Sequence, residues 1–146
     1  MRAKLAEASF AVFAPVWPEG KEVDAARFAQ TVQVELGGKA VTPIAGAALT
    51  VPPGSNQQKR LFDLAAAAKA ALGKQAITAD YAIAAELGFS KDGKHGLANV
   101  VVLTKAGELV LADFLNDQHE LFARRSPKNL VDGEQLVAAK LRQSLR

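Results

Sequence analysis

The residues of this chain with types suited to chemistry are two histidines and a few carboxylates. His119 lies in Asn116-Asp117-Gln118-His119-Glu120, where Asp117 and His119 resemble a pair of metal ligands. Catalytic zinc wants three protein ligands with a supporting shell, and the sequence places no third. A polar loop after a strand accounts for the same cluster. His95 stands beside Ser90-Lys91-Asp92-Gly93-Lys94. With Asp92 it would make half of a metal or acid–base site, but a turn histidine is the plainer reading. Asp113 and Glu86 each fall inside a strand pattern. Buried, either could act as a general acid, and on one face they would form an acid pair. Alternation instead assigns both to a solvent face, and the register that would join them is not readable from sequence.

Nucleophiles and phosphate loops find no support. The chain has no cysteine, which removes zinc ribbons, thiol redox chemistry, a thiol nucleophile and disulfides together. None of Ser9, Ser55, Ser90, Ser126 and Ser144 sits in a Gly-x-Ser-x-Gly elbow. Gly37-Gly38-Lys39 lacks the spacing of a phosphate loop and closes a helix rather than opening one. The Gly46–Gly54 stretch precedes a helix, where backbone amides can bind anions, but it lacks the glycines of a dinucleotide fingerprint. The expectation is a protein that is not an enzyme and holds no cofactor.

These residues are carried on 146 positions, of which 49% are hydrophobic and 23% charged. That is ordinary globular usage and enough chain for a core without staples. One domain over residues 1–146 is expected, with residues 1–8 as a flexible N-terminal segment. The net charge of +3 and pI of about 9.3 invite a nucleic-acid reading. The basic residues are scattered, however, and the densest pairs, Lys59-Arg60 and Arg124-Arg125, have no stacking aromatics among them. No nucleic-acid partner is expected. No run approaches the roughly 20 apolar residues that span a bilayer, and Met1–Ala14, interrupted by Glu7 and Ser9, is a poor signal peptide.

The elements that would position a site read in order. Ala8–Val16 suits a buried strand, closed by Trp17-Pro18-Glu19-Gly20. Asp24 caps a helix with Ala25, Phe28, Ala29, Val32 and Leu36 on one face, ended by Gly37-Gly38. Ala40–Ile44 is a short strand that Pro43 confines to an edge or end. After the loop Ala45–Gly54, Ser55 and Gln58 make a capping box for a helix lined by Leu61, Leu64, Ala65, Ala68 and Leu72. The period then becomes two at Tyr81–Leu87, with further strands at Leu97–Thr104 and Leu109–Leu115 joined by short turns. Asp132 with Gln135 starts a last helix. The fold class is α/β, three-layer-like: β-α-β-α-β-β-β-α, with a C-terminal antiparallel meander and helices packed on a mixed sheet. Phe10, Phe13, Phe28, Phe62, Phe89 and Phe114 fall mostly at core positions. Trp17, at a strand exit, suits either a partner anchor or a cap on the core edge.

Three stretches carry a family resemblance: Phe10-Ala-Val-Phe13, the run from Ala79-Asp80-Tyr81 to Leu87, and Gly107-Glu108-Leu109 leading to Asp113. Together they resemble the α/β domain shared by penicillin-binding-protein activator lipoproteins, the curli secretion channel subunit and the amino-terminal domain of the Tol β-propeller protein. The chain departs from that pattern in having no lipobox cysteine. The resemblance implies a non-catalytic binding or assembly module of the bacterial cell envelope, periplasmic or outer-membrane-associated, that docks on another envelope protein. A cytoplasmic location is the alternative. Trp17, Pro18, Val41, Pro52 and Pro53 are the expected contact residues, and an open edge at Val41 would allow a homodimer. The alternative from another class is a small metal-dependent hydrolase using Asp113, Asp117, His119 and His95, which requires those groups to converge in one pocket.

Overall fold

Phe10, Ala11 and Val12 form strand β1 (Phe10–Val12), and all three side chains are buried. A strand buried on both faces needs a layer above and a layer below. β2 (Val41–Pro43) and β3 (Tyr81–Phe89) flank β1, both parallel to it. Helix α1 (Ala25–Glu35) lies between β1 and β2 in the chain, and α2 (Gln57–Lys74) between β2 and β3. Parallel crossovers are right-handed, and β2 and β3 lie on opposite sides of β1. The two helices therefore land on opposite faces. β4 (Gly96–Thr104) and β5 (Leu109–Asn116) extend the sheet as an antiparallel meander, giving the order β2-β1-β3-β4-β5. Helices α3 (Glu120–Arg125) and α4 (Leu130–Ser144) follow. This computed structural model describes residues 8–16, 25–37, 40–44, 49, 51, 57–89, 96–116, 119–125, 127 and 129–144, without the side chain of Phe89.

The mixed sheet, the helices on it and the meander agree with the reading of the sequence. Two details differ. α3 replaces part of a presumed polar loop. It is started by His119, whose Nδ1 accepts the Leu121 amide at 3.1 Å and whose carbonyl accepts the Ala123 amide. The last helix is capped by Asn129, not Asp132. Asn129 Oδ1 accepts the Asp132 amide at 2.9 Å, and Asp132 lies in the first turn, where a negative charge suits the helix dipole.

The core has two layers. On one face Phe10, Val12, Ile83, Ala85, Leu87, Val100 and Val102 meet Phe28 and Val32 of α1 and Leu136, Val137 and Leu141 of α4. On the other, Ala11, Phe13, Ala82, Ala84, Val101 and Leu103 meet Leu61, Leu64, Ala68 and Leu72 of α2. α1 and α4 are tied by two ion pairs, Arg27–Glu134 and Arg142–Glu35. The same sequence separation in both pairs means the helices run parallel, in register.

Both sheet edges are blunted. The amide of Phe10 donates to Ala40 and that of Ile44 to Val12. Alternation then turns Val41 and Pro43 outward, and proline has no N–H. In β5 the register against β4 slips between Val102 and Leu103, a bulge of the kind that spoils edge pairing. The β4–β5 turn is closed by Gly107, at φ 93°. Its amide donates to the Thr104 carbonyl at 2.8 Å, and a Cβ there would meet Lys69 Cγ at 3.0 Å. Gly107→Ala should lower stability by about 1–2 kcal/mol, the usual strain of a left-handed alanine, read as a shift in the urea midpoint. An unchanged midpoint would show that the turn relaxes.

Candidate functional site

The strand order places β1 between the two strands that follow it in the chain. In open α/β sheets the crevice at such a reversal, outside the carboxyl ends of the strands, is where ligands collect. In this chain the carboxyl end of β3 holds a buried polar network. Glu86 points into the α2 layer and is 2% exposed. Its register partner on β4 is Asn99, which is fully buried. Asn99 Nδ2 donates to Glu86 Oε1 at 3.1 Å. Arg60 of α2 grips the same carboxylate with both edges of its fork, Nε to Oε1 at 3.1 Å and Nη2 to Oε2. Gln57, the first residue of α2, donates its Nε2 to Asn99 Oδ1 and to the Leu115 carbonyl, both at 3.1 Å. The backbone of Val16 closes the β1 side, donating to Ala85 at 2.8 Å and accepting from Leu87 at 2.9 Å.

The network therefore ties the first turn of α2 to β3, β4 and β5 at once. The Glu86 hydrogen bond raises the Arg60 pKa above its ordinary value, against a lowering by burial, and the charges of Glu86 and Asp63 add to the rise. Three donors occupy the Glu86 carboxylate in this arrangement. The arrangement joins α2 to the end of the sheet.

Two aromatic side chains on the elements the network joins are exposed. The row across the sheet runs Glu86, Asn99, Phe114, and Phe114 is 50% exposed. Phe62, on α2, is 56% exposed. The phenylalanines fall mostly at core positions in the sequence reading, and these two are exceptions. Phe114 lies on an edge strand, and Phe62 falls about 100° around the helix from Leu61, which packs on the sheet. Lys69, about two turns after Phe62 on the same flank, reaches Gly107 in the β4–β5 turn. The flank bearing Phe62 thus faces the β5 edge.

Among the described residues, the others singled out from sequence do not assemble around this network. Asp113 pairs with Val100 and so lies on the opposite face from Glu86; it accepts a hydrogen bond from Ser144 Oγ at 2.7 Å. The solvent-face assignment of both carboxylates is corrected by the second helical layer, and the acid pair does not form. His119 spends its Nδ1 lone pair on the start of α3. Val41 is buried by its side chain against α1 and offers only backbone at the edge. Trp17, Pro18, Pro52, Pro53, His95 and Asp117 lie outside the described residues, as do the proposed caps Asp24 and Ser55. Among the described residues no group of three or more His, Asp or Glu side chains is placed to hold a metal, and no helix is long and apolar enough to cross a membrane.

Gln57, Arg60 and Asn99 escaped the reading of the sequence. The available signal was Asn99 in Leu97-Ala-Asn-Val-Val-Val-Leu103 and Glu86 in a strand of alanines and aliphatics, each the lone polar residue on its face. Set against known proteins, the chain matches no family model and no curated sequence.

Proposed function

We propose that the protein is a non-catalytic binding module of the bacterial cell envelope, docking on another envelope protein through the flank formed by α2 and β5. The observation that carries this is that Phe62 and Phe114 are two large aromatics left exposed on α2 and β5, elements that the polar network joins. Aromatic side chains exposed beside a rigid frame are the usual anchors of protein interfaces. The network supplies the frame, because it holds the α2 start against three strands. The envelope setting is supported by the sequence resemblance alone.

Cells expressing the gene product from its own start codon can be treated with formaldehyde and fractionated. The expected result is recovery in the periplasmic or outer-membrane fraction with a discrete adduct of higher mass. Recovery in the cytosol would overturn the envelope setting. Absence of any adduct would overturn the binding reading.

A further inference from the structure

Arg27 in the first turn of α1 donates its Nε to Oε1 of Glu134 on α4, at 2.9 Å. The glutamate is 1% exposed and the arginine side chain 43%. A carboxylate buried on the Nε edge fixes the plane of the guanidinium. The other edge, Nη1 and Nη2, makes no hydrogen bond among the described residues. It borders a groove of about 330 Å³ between α1, α3 and α4 that is also lined by Gln30, Thr31, Arg125 and Gln135. Glu35 closes one end, with its own cation, Arg142, at 3.3 Å. Arg125 makes no ion pair among the described residues, so the open charge of the groove is positive.

Two guanidiniums, one pre-oriented, with two carboxamides in the same lining are the groups that recognise a planar anion by paired hydrogen bonds. The rim is apolar. Val34 is 73% exposed and lines the groove. Val131, one turn before Gln135, is 43% exposed. A free phosphate would make no use of these valines, whereas a peptide carboxylate brings apolar neighbours to them. We propose that this groove binds a carboxylate of an acidic peptide segment in a partner protein, with Arg27 as a bidentate clamp and Glu134 as the residue that positions it. The proposal rests on the reading of the protein as a binding module and gives that module a second, charge-reading contact on the opposite face of the sheet.

The test is a titration of the purified full chain, labelled with nitrogen-15, using N-acetyl-Leu-Glu-Glu-Leu-amide. Its glutamine counterpart and inorganic phosphate serve as comparison probes. Saturable shifts are expected at the Arg27 Nε–Hε signal and at the side-chain amides of Gln30 and Gln135, with none from the glutamine peptide. Arg27→Lys keeps the charge but loses the fork, and should weaken binding at least about ten-fold. Glu134→Gln keeps an acceptor for Nε but loosens the guanidinium; it should broaden the Arg27 signal and weaken binding while the backbone spectrum stays native. Arg125→Gln, at an exposed position, should weaken binding several-fold without touching the fold. Absence of saturable shifts, full affinity in Arg27→Lys, or phosphate binding as tightly as the acidic peptide would each overturn the proposal. The titration reads the groove alone, so its failure would leave an aromatic docking flank intact, and a failed flank would leave a positive titration standing.

Discussion

Arg60→Ala is expected to destabilise the protein by about 3–5 kcal/mol, the cost of leaving a buried charge without its partner. Glu86→Ala should cost less, about 1–3 kcal/mol, the usual range for a buried hydrogen-bonding group that loses its partner. The asymmetry follows from burial. Removing Arg60 strands a carboxylate that is 2% exposed, with the Asn99 amide as its remaining side-chain donor in this network. Removing Glu86 leaves a guanidinium whose side chain is 21% exposed and can turn to water. Since a domain of this size has only about 5–15 kcal/mol in hand, the arginine variant should approach the limit of folding. The double variant should cost less than the sum of the two, because the stranded charge is gone. Urea midpoints of the four proteins measure all of this. Equal costs for the single variants, or strict additivity, would mean that the network is wetter than its geometry shows.

That network also marks where the sequence stopped being legible. The strands, the two crossover helices and the meander follow from local patterns: period two from Tyr81, helical spacing from Ala25 and Leu61, and glycine-bearing turns at Gly37 and Gly107. What local patterns do not carry is how many layers cover a sheet. Alternation of Tyr81, Ile83, Ala85 and Leu87 against Ala82, Ala84 and Glu86 suggests one wet face, whereas helices cover both and Glu86 is buried. The alanines were the warning, since small residues on the supposed wet face are what an overlying helix needs. The exposure of Phe62 is legible in its own helix, since it stands next to the stripe of Leu61, Leu64, Ala68 and Leu72 rather than in it. Phe114 was beyond reach, because its exposure depends on β5 being an edge. Arg60 and Gln57 were beyond reach for a similar reason, since their partners lie 26 and 42 residues away.

The second large effect is expected on binding rather than stability. Replacing Phe62 and Phe114 together by alanine should weaken capture of the proposed partner by at least about 30-fold, the effect of losing about 2 kcal/mol at an interface hot spot. The fold should hardly notice. Both side chains are half exposed, and surface substitutions ordinarily change stability by no more than about 0.5 kcal/mol. This pairing of a large binding loss with an unchanged urea midpoint separates an interface from a structural role. If the midpoint falls with binding, the two phenylalanines are support for α2 and not anchors. If binding survives with the midpoint intact, the contact lies elsewhere on the chain.

The most direct measurement of the docking claim is position-resolved photo-crosslinking in living cells. A benzophenone side chain would be placed in turn at Phe62, at Phe114 and at the exposed control position Ala76. The account predicts one discrete crosslinked product, of the same mass, from positions 62 and 114, and none from 76. Products from position 76 alone, or from none of the three while the protein remains folded, would contradict it.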